Sequence, residues 1–232
     1  MNVGRLLFLT CLCAHISHAQ ISSTPVVGIL TLHTSAKFEY PTGSTYVYAS
    51  YPKWVEESEM RWIPISVFDT TDVIADKLTR VDGVLLTGGN EVLGTRDMPS
   101  TYARVVKQIL DFARAKHDAE TVFPVFGTCM GFQAMLVLLS DYELHLETVH
   151  NINHNEGLSL TPDALHSFLS LFFNDNEVGA LKAQKLFYFH HNDGFTMKQI
   201  SHSDYVAKNI RVIGSVRTPK NDEILAVFQH KV

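Results

Sequence analysis

Between Val26 and Leu139, short runs that are apolar on both faces alternate with stretches whose apolar residues recur at helical spacing. A strand apolar on both faces must be covered on both, and helices packed on either side of a parallel sheet do this. The runs are Thr24-Pro25-Val26-Val27-Gly28-Ile29-Leu30, Trp62-Ile63-Pro64-Ile65, Gly83-Val84-Leu85-Leu86-Thr87 and Val122-Phe123-Pro124-Val125-Phe126. Pro64 has no N–H to give to a ladder, which places its run at an end or an irregular edge. Helices are expected over 43–55, 72–78, 101–115 and 130–139, with Pro52 either kinking the first or marking its true start. After Asp141 the pattern is less regular. Strands are expected at 157–160, 187–189, 211–214 and 224–228, and a helix at 163–172. No linker rich in Pro, Gly or Ser divides the chain, so a single α/β domain with a mostly parallel sheet is expected over residues 20–232.

Residues 1–19 read differently. Arg5 precedes the apolar run Leu6 to Ala14, and the polar stretch after it ends in Ser17-His18-Ala19. This is the pattern of a secretory signal peptide cleaved after Ala19, and the run is too short to span a bilayer. Removing it leaves 213 of the 232 residues, with 18 basic and 24 acidic side chains. No basic cluster or long apolar span follows, which argues against nucleic acid or a membrane as partner. The expected location is secreted, extracellular or lysosomal (vacuolar).

Of three cysteines, Cys11 and Cys13 lie in the leader and only Cys129 remains. It sits in Gly127-Thr128-Cys129-Met130-Gly131, between an expected strand and an expected helix. A lone thiol between glycines at such a junction reads as a nucleophile elbow. The turn lifts the sulfur above the sheet edge, and the positive end of the helix favours the thiolate. The Met130 N–H would face an oxyanion, and Gly88-Gly89, which ends another strand at the same edge, would supply a second donor. A thiol hydrolase also needs a proton carrier for its leaving amine. His230 follows the strand 224–228, which could end at the edge carrying Cys129. His190 and His191 follow Phe187-Tyr188-Phe189 and precede Asn192-Asp193-Gly194, a turn signal. His33, His117, His145, His150, His154, His166 and His202 read as ordinary surface or packed residues. No metal motif, P-loop or dinucleotide fingerprint is present, so no metal and no cofactor are expected.

Pro124-Val125-Phe126-Gly127-Thr128-Cys129-Met130-Gly131-Phe132 resembles the nucleophile segment of gamma-glutamyl hydrolases, peptidase family C26. These are folate-polyglutamate-processing members of the class I glutamine amidotransferase-like superfamily. Val27 to Leu30, Tyr48 to Glu56 and Val84 to Gly89 resemble the family's first strand, following helix and oxyanion loop. The resemblance implies a flavodoxin-like α/β fold. It also implies a cysteine-type omega peptidase that cleaves γ-glutamyl amide bonds of folylpoly-γ-glutamates through an acyl-enzyme. It makes Cys129 the nucleophile, His230 the catalytic histidine, and His190 a residue of the substrate site, with a homodimer open as the assembly.

The family follows its histidine with Pro-Glu and a closing helix, whereas Lys231-Val232 follow His230 here. A truncated C-terminal part, a degenerate paralogue acting as a binding or regulatory protein, and an enzyme with a rearranged base are the readings left open. A glutaminase feeding ammonia to a synthetase fits poorly with a secretory leader.

Overall fold

The computed structural model describes residues 24–34 and 43–231, so the expected leader over residues 1–19 lies outside the described residues. The neighbours Ile29 and Leu30 have no exposed surface yet belong to different apolar clusters. Successive residues of a strand face opposite sides, so this one pair requires a sheet covered on both faces.

The strands of the first half are β1 (Val26–Leu30), β2 (Leu32–His33), β3 (Thr45–Tyr46), β4 (Arg61–Ile65), β5 (Gly83–Leu86) and β6 (Val125–Gly127). Four of them form a parallel sheet in the order β4-β1-β5-β6. Pro64 lies on β4, whose only partner among the described residues is β1, and its missing N–H falls on the side away from β1. The helices are α1 (Ser50–Glu57), α2 (Thr71–Thr79), α3 (Thr101–Asp118) and α4 (Met130–Leu139). Val55 of α1 packs on Ile29 and Leu85, covering one face. On the other face, Ile74 and Leu78 of α2, Val105, Val106 and Ile109 of α3 and Ala134 of α4 pack with Leu30 and Leu86. Side-chain N-caps at Thr70 and Ser100 fix the starts of α2 and α3.

The second half holds β7 (Glu147–Glu156), β8 (Ser159–Leu160), β9 (Phe187–Gly194), β10 (Ile210–Arg217) and β11 (Glu223–His230). β7 pairs antiparallel with β9, and β10 lies between β11 and β8 in a separate antiparallel sheet. A 3-10 turn at Pro162–His166 and helices α5 (Leu169–Phe172), α6 (Asp175–Ala183), α7 (Met197–His202) and α8 (Asp204–Asn209) connect them. Leu136 and Val137 of α4 pack here with Phe195, Ile200, Val206 and Leu225. Helix α4 is therefore enclosed by two apolar layers, which explains its almost wholly apolar sequence. Among the described residues no helix is long and apolar enough to cross a membrane.

The α/β class and the mostly parallel sheet flanked by helices agree with the sequence reading. Several local expectations do not. Residues 45–46 pair as β3, and α1 begins only at Ser50, with Pro52 in its first turn, where a missing N–H costs nothing. The helix expected at 163–172 is broken in two around Ser167, whose backbone is extended. Asn192-Asp193-Gly194 continue β9 instead of turning, because β7 supplies a full-length partner.

Ile109 is fully buried in the cluster between α3 and the sheet. Ile109→Ala should cost roughly 2–5 kcal/mol, read as a lower urea midpoint at unchanged slope. Val122→Ala, at a position 88% exposed, should stay within about 0.5 kcal/mol of the parent.

Candidate active site

Helix α4 starts immediately after β6, and the junction leaves little backbone freedom. Thr128 N–H donates to the Leu86 carbonyl at 3.0 Å, and Gly131 N–H donates to the Thr128 carbonyl at 2.8 Å. A Cβ on Gly131 would lie 2.2 Å from the Leu86 oxygen, so only glycine permits this approach. Cys129, between them, is held at φ 50°, ψ −115°. For a residue with a side chain this is a strained conformation, costing on the order of 1–3 kcal/mol. The thiol is exposed, and the Met130 N–H at the start of the helix has no described acceptor. Strain, exposure and an open donor coincide at one turn, as a nucleophile elbow requires.

The loop after β5 closes against this turn. A Cβ on Gly88 would stand 3.1 Å from the Cys129 Cβ and 3.6 Å from its sulfur. Gly88 N–H donates to Tyr51 Oη at 2.7 Å, and the same hydroxyl lies 2.8 Å from Thr128 Oγ1. Tyr51 thus clasps the loop to the turn. It also occupies the Gly88 N–H, whereas Gly89 N–H donates to no described acceptor. Of the expected pair Gly88-Gly89, Gly89 is thus the one whose N–H is unengaged among the described residues.

Two further residues meet in this region. Glu91 accepts hydrogen bonds from the His33 backbone at 2.6 Å and pairs with His33 Nδ1 at 2.7 Å, while its own N–H contacts the Met130 sulfur at 2.8 Å. Tyr102, in the first turn of α3, has no exposed surface and its hydroxyl lacks a described partner. Burial drives its pKa strongly upward, and Glu91, Tyr51 and Cys129 push it the same way. Sequence reasoning passed over Tyr51, Glu91 and Tyr102 and read His33 as an ordinary residue. The His33–Glu91 pair spans 58 positions, so no local spacing could signal it.

The three candidate histidines separate in space. Along β9, Phe187, Phe189 and His191 are half-buried while Tyr188 and His190 are exposed. His190 therefore faces outward, stacked on Tyr188, with Nδ1 3.0 Å from Asn153 Oδ1, and no described contact joins it to the nucleophile turn. His191 faces inward. Its Nδ1 lies 3.0 Å from the Asp193 carbonyl, which also accepts from Gln133 Nε2 of α4 at 2.6 Å. His191's pKa lies below the ordinary value of 6.5, chiefly through burial.

His230 does not end at the edge that carries Cys129. β11 belongs to the antiparallel sheet, and His230 lies within it, opposite Ile210, with Nε2 3.3 Å from Tyr205 Oη. Burial lowers its pKa, and the charges of Arg114 and His117 lower it further. Those two residues lie near the C-terminal end of α3, whereas Tyr102, which feels Cys129, lies in its first turn. Twelve residues of helix separate Tyr102 from Arg114, about 18 Å. No described hydrogen bond joins His230 to Cys129, while Phe228, two residues earlier on β11, packs on Phe132 in the first turn of α4 with ring centroids 4.9 Å apart. Among the described residues no histidine hydrogen-bonds to the thiol, and no group of three His, Cys, Asp or Glu side chains is placed to hold a metal ion.

A family model described as Peptidase C26 matches residues 25–167, more than half of the chain. Gamma-glutamyl hydrolase 1 of Arabidopsis thaliana is 34% identical over 148 residues, covering 57% of this chain and 40% of that protein. Human gamma-glutamyl hydrolase is 27% identical over 197 residues, covering 84% of this chain and 60% of that protein. Gamma-glutamyl hydrolase B of Dictyostelium discoideum is 23% identical over 211 residues, covering 91% and 60%. The chain thus spans 40–60% of the length of these relatives. The family match contains the parallel sheet and the nucleophile turn and ends before β9, β10 and β11.

Two outcomes follow from this geometry. Tyr51→Phe leaves the Gly88 N–H and the Thr128 hydroxyl without a partner, a loss of roughly 1–3 kcal/mol, read as a lower denaturation midpoint. His191 and His230 both have lowered pKa values when folded, so the unfolded chain binds their protons first. Their neutral rings cost nothing above pH 6.5, and stability should fall as the pH drops below it toward the folded values. Urea midpoints across that interval should show the slope, flattened in the His191→Gln/His230→Gln double variant.

Proposed function

Because the chain belongs to the peptidase C26 family, we propose that it is a thiol hydrolase cleaving γ-glutamyl amide bonds, with folylpoly-γ-glutamates as substrate. The observation that carries this reading is Cys129 itself, an exposed thiol in a strained turn beside two open backbone donors. The names of its relatives supply the bond type: those quoted above are gamma-glutamyl hydrolases.

The chemistry runs in two halves. The Cys129 sulfur adds to the γ-carbonyl carbon, and the carbonyl electron pair moves to oxygen, where Met130 N–H and Gly89 N–H receive it. Collapse breaks the C–N bond, and the amine leaves with a proton supplied by a histidine. Water then attacks the thioester, the shortened folyl-γ-glutamate departs with a free γ-carboxylate, and the thiol is restored. Tyr51 keeps the glycine loop at a fixed distance from the sulfur, so the donors are in place before charge develops. The substrate is a small polyanion, and the chain carries no metal or cofactor in this scheme. The leader pattern in residues 1–19 supports delivery to the secretory route, to the exterior or a lysosome-like compartment.

A catalytically impaired paralogue that binds the same ligand is the second reading. It draws on one observation, that no described histidine bonds to Cys129.

Cys129→Ala decides between them. On a poly-γ-glutamyl folate, the hydrolase reading expects kcat/KM to fall by at least about 10³-fold while the ligand's Kd changes little. Undiminished turnover in the variant would discard Cys129 as nucleophile. A parent chain that binds the ligand and never cleaves it would establish the paralogue.

A further inference from the structure

We propose that Glu91 is the positioning residue of the oxyanion site, holding the glycine loop so that the Gly89 and Met130 N–H groups keep a fixed separation. This rests on the thiol-hydrolase reading above and names what sets the geometry of its two donors.

The Glu91 side chain is only 12% exposed, and a carboxylate so far from water is costly unless its oxygens are engaged. Both are. The His33 backbone N–H donates to Oε1 at 2.6 Å, and His33 Nδ1 lies 2.7 Å from Oε2. A carboxylate only accepts, so Nδ1 carries the proton. One residue thus receives the carboxylate through both its backbone and its ring, which fixes direction as well as distance. Phe68 packs edge-on against the His33 ring, with centroids 4.8 Å apart, and limits its rotation.

Glu91 is also tied to the nucleophile's helix. Its N–H contacts the Met130 sulfur at 2.8 Å, and Met130 directly follows Cys129. Met130 and Leu32 are buried in the same apolar cluster. A Cβ on Gly89 would lie 2.5 Å from Leu32 Cδ1, so the loop passes directly against the residue that precedes His33. The loop 88–91 is therefore held at both ends. Tyr51 takes the Gly88 N–H, while Glu91 engages His33 and Met130. Gly89, between them, is partly exposed, and its N–H meets no described acceptor.

Glu91 thus lies two residues from one donor and touches the side chain of the residue that carries the other. Among the described residues, its two bonds to His33 are the only hydrogen bonds between residues 89–91 and β2. Oxyanion donors act only where they stand when charge develops, so a loop that drifts weakens the transition state and leaves substrate binding nearly unchanged. Geometry matters here more than charge. Glu91→Gln can still accept from the His33 N–H and donate to Nδ1 of the other tautomer, whereas Glu91→Ala can do neither.

The test uses two thiol probes on the full chain. An aldehyde analogue of the γ-glutamyl group adds to the sulfur and places an oxygen where the oxyanion forms. Methyl methanethiosulfonate captures the same sulfur with no oxyanion. Glu91→Ala should bind the aldehyde at least about 10-fold more weakly and lose a similar factor in kcat on a γ-glutamyl amide, with KM within about twofold. Its capture by the thiosulfonate should keep the parental rate. Glu91→Gln should recover most of both losses. His33→Ala removes only the ring's half of the contact and should show the same loss in smaller measure, so the comparison survives if Glu91→Ala does not fold. Four results overturn the proposal: parental aldehyde affinity in both alanine variants, a loss confined to KM, thiosulfonate capture slowed by the same factor, or equal losses in Glu91→Gln and Glu91→Ala. The premise fails separately, through a parent chain that binds the aldehyde yet never cleaves the amide, or through Cys129→Ala still hydrolysing it.

Discussion

The end of β5 governs the site. The Leu86 carbonyl accepts the Thr128 N–H, and the Gly131 backbone passes so close that a single methyl group would strike that oxygen. With both sides of the turn pinned to the neighbouring strand, Cys129 is held at φ 50°, ψ −115°. Strain of this kind persists only where the surroundings over-determine it. Here they are a parallel pairing fixed by Val84, Leu85 and Leu86 against Val125, Phe126 and Gly127, and a helix buried on two sides. The reactive geometry is thus stabilised by the core, and the thiol itself needs no bonding partner to stay in place.

The glycine loop shows the same economy. A Cβ on Gly88 would strike the Tyr51 hydroxyl at 2.8 Å and crowd the Cys129 Cβ at 3.1 Å, and the Gly88 N–H is held by Tyr51. Tyr51 comes from α1, on the face of the sheet opposite α3 and α4, so its hydroxyl joins the two layers at the active edge. Tyr102 approaches from the other layer and brings a buried hydroxyl to the same region. Donors for an oxyanion are useful only if they do not move when charge appears. Residues from both layers converging on one loop provide that rigidity.

The legibility of the chain divides along the same physical line. Wherever burial on both faces dictated the residues, as in β1, β5 and α4, periodicity alone located the element. The thiol was legible for a related reason, since the glycines at 127 and 131 answer a local steric demand. The failures lie where partners are distant. Thr45 and Tyr46 read as helical because their apolar neighbours recur at helical spacing, yet pairing with Leu32 and His33 makes them a strand. Asn192, Asp193 and Gly194 carry turn chemistry, but β7 offers a ladder that outweighs it. Glu91 and His33 meet across 58 positions, and Tyr51 reaches Thr128 across 77. No window along the sequence contains both ends of such a contact.

His230 and His191 make this point about function. By order along the chain, His230 occupies the place where a catalytic histidine is expected, and β11 was read as ending beside the thiol. Position in sequence does not determine which sheet a strand joins. β11 pairs with β10 in a separate antiparallel layer, which holds His230 against Tyr205, near the far end of α3. Strand alternation acts in the opposite sense on β9. It turns His190 outward and His191 inward, where the Asp193 carbonyl accepts from Gln133 of α4 and meets His191 Nδ1. A one-residue difference on a strand decides which imidazole faces the core. The thiol turn is therefore encoded locally, between two glycines, while the placing of the three candidate histidines depends on strand pairing beyond the residues that the family model matches.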